Sequence, residues 1–292
     1  MPSFPLDLSL WIVGPGRAGR ALGRSWIAAG GRTPLLLAKT REGALAAAAA
    51  LPGAQTAALD APLPENGRCD VLVLAVPDDA ITRSAEALAP RVRCRIALHL
   101  SGVVASSALS PLAPSGGGVA SLHPLRAFSG APSDDWRGAF VAVEGDPQTI
   151  EIAVAIASAV GAEPHRIGAD VRPLYHAGAT LAAGGVVAVL SIAVRAWAAA
   201  GIPEPRAREA LAGLAGDAVR AARERDFADA FTGAVARRDL GTIRAHRDAL
   251  QRVPDALRLY AALAEETLSR TPGRGSEEEI RRMLSASEPS RR

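Results

Sequence analysis

A chain of 292 residues with 49% hydrophobic content is long enough for two cores of ordinary size and too apolar for a disordered protein. Its pI of ≈ 9.4 invites a nucleic-acid reading, but the formal net charge is only +3, and the arginines are scattered among nearly as many acids without forming a basic stripe. Aromatic residues make up 4%, too few for the stacking platforms that hold single strands.

The first apolar run, Leu10 to Val13, has no positive segment before it and passes straight into glycines, which predicts a first strand rather than a signal peptide, and a cytoplasmic protein. Further strands are expected over Pro34 to Ala38, Asp70 to Ala75, Arg95 to Leu100, Val119 to His123, Phe140 to Glu144 and Pro164 to Ile167. Helical stretches fill Gly19 to Ala29, Glu42 to Ala50, Asp79 to Leu88 and Thr149 to Val160. This alternation predicts an α/β domain over residues 1–168, doubly wound on a mostly parallel sheet of seven strands. Cys69 and Cys94 are the two cysteines; they lack CxxC spacing and fall in or beside the sheet, so neither a disulfide framework nor a thiolate metal site is expected.

Past Gly168, Ala, Leu and Arg recur at helical spacing, which predicts an all-α domain over 169–270 and a frayed tail over 271–292. Its opening helix, about Val171 to Ala200, ends at Gly201 before Pro203 and Pro205. Within it, Ala177 to Val194 is uncharged for 18 residues, near the length that spans a bilayer. Because that run is mostly Ala and Gly, it reads as a buried helix at the centre of the domain and not as a membrane span.

Directly after the first strand stands Gly14-Pro15-Gly16-Arg17-Ala18-Gly19. In the GxGxxG pattern the first glycine turns the chain, the second lets backbone amides approach a diphosphate, and the third lets the helix lie close on the strand. Placed between a strand and a helix, the pattern predicts dinucleotide binding on a Rossmann fold. An NAD site normally ends the second strand in Asp or Glu, whereas here it ends Lys39-Thr40-Arg41. Two cations and a hydroxyl suit the 2′-phosphate of NADP, and Arg17 could add a phosphate contact. Val76, Pro77 and Asp78, after the Asp70 strand, are expected to pass under the nicotinamide ribose, although Asp78 or Asp79 could instead cap the following helix.

Two later strands stop in polar signatures, His99-Leu100-Ser101-Gly102 and Ser121-Leu122-His123-Pro124. Imidazole and hydroxyl groups at carboxyl ends of strands are placed to donate to a substrate carbonyl or carboxylate. His99 also reads as a core histidine and Ser101 as a cap. In the helical domain, His176 and Thr180 share a helix face that Gly184 continues, and Phe231 to Asp239, with Thr242 and His246, forms a second polar cluster.

These segments resemble a bacterial family of Rossmann-like proteins carrying a C-terminal domain of unknown function, similar to the β-hydroxyacid and 6-phosphogluconate dehydrogenases and to ketopantoate and pyrroline-5-carboxylate reductases. The resemblance covers about residues 8–265. It implies a helical domain of the 6-phosphogluconate dehydrogenase C-terminal type and NADP-dependent oxidoreductase activity. The family's His-x-Ser-Gly matches His99, Ser101 and Gly102, its His-Pro matches His123 and Pro124, and its helix-opening histidine matches His176. Its Thr-Gly-Pro-x-x-Arg-Gly-Asp reads Thr232, Gly233, Ala234, Arg237, Arg238 and Asp239 here, with His246 as its later histidine. The chain departs from the pattern at Gly184, where the family has asparagine, at Ala234, and at Arg238, where an arginine in place of glycine is expected to crowd the pocket.

Relatives commonly use a lysine on the first helix of the second domain as proton donor, but the chain's only lysine is Lys39. His176 stands on the matching helix and imidazole is suited to proton transfer. The expectation is therefore hydride transfer to or from a small carbonyl or imine in an interdomain cleft. His176 serves as acid/base, Ser101 and His123 orient the substrate, and Thr232 and Arg237 close the pocket. The competing expectation is a non-catalytic NADP sensor. A homodimer through the Ala/Gly-rich helix is expected too, with no nucleic-acid or membrane partner.

Overall fold

In a computed structural model, residues 4–115, 118–271 and 275–285 are described, and the chain divides into two compact units, Met1–Thr180 and Leu181–Arg292. The first unit is built on an eight-stranded sheet: β1 (Leu10–Val13), β2 (Leu35–Ala38), β3 (Gln55–Ala58), β4 (Arg68–Leu74), β5 (Arg93–His99), β6 (Gly118–Pro124), β7 (Phe140–Gly145) and β8 (Glu163–Arg166). The spatial order is β3-β2-β1-β4-β5-β6-β7-β8. Every pairing is parallel except β6 with β7, so β7 and β8 run against the rest.

The sheet is buried on both faces, which is why its central strands are apolar runs and not alternations. Leu10, Ile12, Val71, Val73, Ile96 and Leu98 pack on one side with Trp26 and Ile156. Trp11, Val13, Leu72, Leu74 and Ala97 pack on the other with Ile81, Leu88 and Leu109. Helices α1 (Arg17–Ala28), α2 (Arg41–Ala50), α3 (Ile81–Leu88) and α4 (Pro147–Ala159) supply most of the crossovers. The apolar runs after residue 68 gave strands close to the expected bounds. β3 was not expected, because Gln-Thr-Ala-Ala at a sheet edge carries no β-branched run and has only Ala58 buried.

The long helix of the C-terminal half is α5 (Arg172–Thr180), one π-helical turn over Leu181–Gly185, and α6 (Val186–Ala199). The helix spans 28 residues, its most apolar window has mean hydropathy 2.1, and only 6% of that window is buried, so it is not a buried central helix and its apolarity is not weak. By length and composition it is sufficient to cross a bilayer. Its buried contact within the second unit is Val194, against Ala207 and Leu211 of α7 (Glu204–Glu224).

The second unit continues with α8 (Phe227–Ala230), α9 (Ala234–Arg237), α10 (Leu240–Leu250), α11 (Pro254–Arg270) and α12 (Glu277–Ser285). The tail was expected to fray from residue 271, yet α12 buries Ile280, Met283 and Leu284 against Ile243, Ala264 and Leu268. Arg238 explains part of this. It holds a left-handed conformation (φ 60°), the kind of position that favours the glycine of the related pattern. Its side chain donates to Thr271 Oγ1 at 3.0 Å, to the Thr271 carbonyl, and to Glu277 Oε1 at 3.0 Å. Arg238→Gly relieves about 1 kcal/mol of backbone strain and removes a part-buried ion pair and the bonds to Thr271, whose combined loss costs about 2 kcal/mol. A net loss of about 1 kcal/mol is expected in urea unfolding, with earlier proteolysis of α12.

Candidate active site

At the carboxyl end of β1, Gly14 has φ +84°, and a Cβ there would stand 2.6 Å from the Ala75 carbonyl oxygen. A Cβ on Gly19 would stand 2.7 Å from the Gly14 carbonyl oxygen. Both glycines are therefore required by the close approach of β1, α1 and the end of β4. Gly16 is different, since a Cβ built on it meets nothing within 4 Å and its φ is −74°. Gly16 caps α1, no side chain caps that end, and the first turn holds no acid, so its free amides face space suited to an anion. The residues present thus fit a dinucleotide's diphosphate, with Pro15, Arg17 and Ala18 completing the turn.

Lys39, Thr40 and Arg41 are all exposed at the end of β2. Thr40 caps α2 by accepting the Gly43 amide at 3.2 Å, so Lys39 and Arg41 carry the free charge. Val76 and Pro77 follow β4. Neither Asp78 nor Asp79 caps α3; Asp79 pairs with Arg83 at 3.5 Å, and Asp78 lies near enough to raise the proton affinity of His99 and His123.

At the end of β5, His99 is fully buried, accepts the Ser101 amide on Nδ1 at 3.2 Å, and bonds the Ala105 carbonyl through Nε2 at 3.2 Å. Both ring nitrogens are satisfied within the fold, and burial pushes the imidazole down to about 4. Ser101 Oγ accepts the Val103 and Val104 amides at 3.2 and 3.0 Å, which fixes the loop and leaves the hydroxyl proton as a donor. His123 Nδ1 bonds the Tyr175 hydroxyl at 2.8 Å. Burial, then the neighbouring His176 and Arg172, lower His123 to about 4, so it is neutral at ordinary pH.

The His123 and His176 rings meet edge to face at 5.7 Å. Gly102 lies under both: a Cβ there would stand 2.5 Å from His176 Cδ2 and 2.8 Å from His123 Nε2. The fold therefore gathers Ser101, Gly102, His123 and His176 into one cluster. Thr180 is committed to the helix backbone, donating to the His176 carbonyl at 2.9 Å. Gly184, where the related pattern has asparagine, falls in the π-helical turn.

Tyr175, Arg172 and Glu144 belong to the same cluster and were not singled out as site residues. Glu144 ends the Phe140 strand, and a carboxylate closing a buried apolar run is itself a signal that a partner waits. Tyr175 is raised by burial, and its ring also lies 6.3 Å from Phe140, which stacks on His165 at 4.1 Å.

Thr232 and Arg237 meet in the helical unit, in a pocket of about 350 Å³ lined also by Asp229, Phe231 and Thr271. Arg238 does not crowd it: the guanidinium turns away to Thr271 and Glu277 and ties one wall to α12. Asp239 caps α10 through the Thr242 amide at 3.1 Å, and His246 bonds the Tyr260 hydroxyl at 3.1 Å. Among the described residues no group of three His, Cys, Asp or Glu side chains could hold a metal ion. Burial raises both Cys69 and Cys94, the latter to about 11, so these paired-strand thiols are unreactive.

Residues 139–267 match the model of a domain of unknown function, DUF2520, from just before β7 into α11. No curated protein matches the chain. Among solved structures, a Bacteroides fragilis protein provisionally named an NADP oxidoreductase is 17% identical with TM-score 0.72, over 90% of this chain and 98% of that one. A Thermotoga maritima protein is 20% identical with TM-score 0.70, over 94% and 98%. An imine reductase from Myxococcus stipitatus, in complex with NADP+, is 17% identical with TM-score 0.60, over 96% and 93%. The fold is thus a Rossmann-like sheet followed by a helical region, the fold of those NADP-linked reductases.

Proposed function

We propose that the protein is an NADP-dependent oxidoreductase acting on a small carbonyl or imine compound. The observation that carries the cofactor is Gly16, which alone of the three motif glycines faces open space, over uncapped helix amides. NADP, when bound, supplies or accepts the hydride. Gly14 to Gly19 would hold the diphosphate, Lys39 and Arg41 the 2′-phosphate, and Val76 to Asp78 the nicotinamide side.

The chain's own work is orientation and proton handling. His176 gives or takes the proton at the substrate heteroatom. His123, kept neutral and tied to Tyr175, orients the substrate as a hydrogen-bonding group and carries no charge. Ser101 donates its remaining hydroxyl proton. In the helical unit, the Thr232 and Arg237 pocket offers a hydroxyl and a guanidinium to a small carboxylate.

Gly16→Ala separates cofactor from fold: the melting temperature should hold while calorimetry shows NADPH affinity falling about a hundredfold, nearly 3 kcal/mol. Lys39→Ala and Arg41→Ala should each weaken NADPH about tenfold and leave NADH unchanged. Heat from neither nucleotide on folded protein would end this reading. Tight NADPH binding with no oxidation by a panel of keto acids and cyclic imines, and no effect of His176→Ala, would leave a non-catalytic NADP sensor.

The exposed apolar helix Arg172–Ala199 is assigned to a homodimer face. A contiguous exposed apolar face is the kind of surface that marks an association site, and a second copy of the same helix is apolar in the same way. Light scattering without detergent should give about twice the 30.0 kDa chain mass, and a monomer at micromolar concentration would overturn the assignment.

A further inference from the structure

Arg172 opens α5 with its side chain wholly out of solvent, a costly place for a guanidinium. It donates to the Ser101 carbonyl and, at 2.8 Å, to the Ser121 hydroxyl, while Nη1 stands 3.7 Å from Glu144 Oε2. Ser121 in turn donates to the Ser101 carbonyl at 3.3 Å. Glu144, directly opposite Ser121 in the β6–β7 ladder, is held by the Ser106 amide at 2.8 Å and hydroxyl at 2.7 Å. One side chain therefore reaches the loop just after β5, the middle of β6 and the carboxyl end of β7.

The pairing is not the forked contact that an arginine and a carboxylate make when attraction alone decides the geometry. Nε and Nη1 have no hydrogen-bond partner among the described residues, while Nη2 takes both the Ser101 and Ser121 contacts. The geometry favours the strand-end loop over the counter-charge. Tyr175 and His176 follow Arg172 by three and four residues, so they leave the helix on the same side, one turn on.

We propose that Arg172 is a positioning residue that anchors the first turn of α5 to the loop after β5 and to the middle of β6, and so sets the Tyr175 hydroxyl on Nδ1 of His123 and the His176 ring against it. The catalytic meaning rests on the oxidoreductase reading above; the geometric claim does not. The groups facing His123 are Arg172, Tyr175 and His176 from α5, His99 from β5, and Asp78 from the segment after β4. Without Arg172 one positive neighbour is gone and the two-ring contact loses its anchor.

The test is nitrogen-resolved NMR of the histidine imidazoles in the full chain, which has five. In the unaltered protein His123 should titrate at about 4 and hold one tautomer. Arg172→Met should move that titration up by about one pH unit and mix the tautomers, while His246 in the helical unit stays unchanged as the control for folding. Arg172→Lys should restore much of the titration shift but not the single tautomer, because a lysine on a shorter, flexible stem lacks the rigid planar head that holds the Ser101 carbonyl and the Ser121 hydroxyl at a fixed angle. A folded Arg172→Met protein whose His123 titration and tautomer are both unaltered overturns the proposal. If that variant does not fold, Ser121→Ala, which removes one grip and no charge, should still mix the tautomers, and an unaltered spectrum there overturns it equally. Should NADPH fail to bind while His123 responds as described, the positioning role stands and the oxidoreductase reading falls.

Discussion

Gly102→Ala is expected to lower turnover about a hundredfold with NADPH affinity unchanged. The backbone at Gly102 tolerates alanine, since its φ is not among the positive ones. What forbids a methyl group is the company above it: His176 Cδ2 at 2.5 Å and His123 Cε1 and Nε2 at 2.8 Å from the new atom. No carbon approaches so closely, so at least one imidazole must move by several tenths of an ångström. His176 is only half-buried and can turn, whereas His123 is tethered to Tyr175. The displacement therefore falls mainly on the proposed acid/base, and a proton transfer is steeply sensitive to such a shift. The phosphate loop is formed by residues 14–19 and is untouched, which is why binding separates from turnover. Stopped-flow NADPH oxidation with the active compound from the keto acid and imine panel, set beside calorimetry, reads both. Equal turnover in the two proteins would remove His123 and His176 from the reacting centre.

The parts of this site that could be read in the sequence are those fixed by local backbone geometry. GxGxxG is legible because each glycine answers to a turn or a close approach within its own strand-turn-helix unit, and Gly14 and Gly19 meet Ala75 and Gly14 as that logic requires. His99-Leu100-Ser101-Gly102 and His123-Pro124 were legible as strand ends, because apolar runs stop there. Arg172 was not, because its partners lie 71 and 51 residues away and nothing local marks an arginine for burial. The same holds for Arg238. As a departure from a glycine position it read as damage to a pocket, whereas its contacts with Thr271 and Glu277, more than thirty residues on, make it a clamp for α12. The long helix misled for another reason: uninterrupted apolarity normally implies burial within the same chain, and here the chain alone does not cover it.

Acid should weaken the first unit, in a window that belongs to two imidazoles. His99 and His123 are each lowered to about 4, first by burial, in His99 then offset by its bond to the Ala105 carbonyl, and in His123 reinforced by His176. Well above pH 6.5 these two imidazoles are neutral in folded and unfolded chains alike, and they contribute no dependence. Below 6.5 the unfolded chain takes up protons that the folded one refuses until about pH 4, so stability rises with pH across that interval and is lost as pH falls through it. The slope approaches about 1.4 kcal/mol per pH unit for each group only as the unfolded imidazole becomes fully charged, so the pair should cost about 3 kcal/mol between pH 6.5 and 5, a large part of a typical domain's stability. Asp70, whose carboxyl is held below its ordinary value by the Ser9 bonds, loses its contribution only under pH 4 and does not confuse the window. Urea midpoints at pH 7.5, 6 and 5 measure the slope, and His123→Asn should roughly halve it. A wild-type slope near zero would mean that His123 charges freely in the folded protein. It would then bring a second positive charge beside Arg172 and His176, and the assignment of His123 as a neutral orienting group, with His176 alone handling the proton, would have to be abandoned.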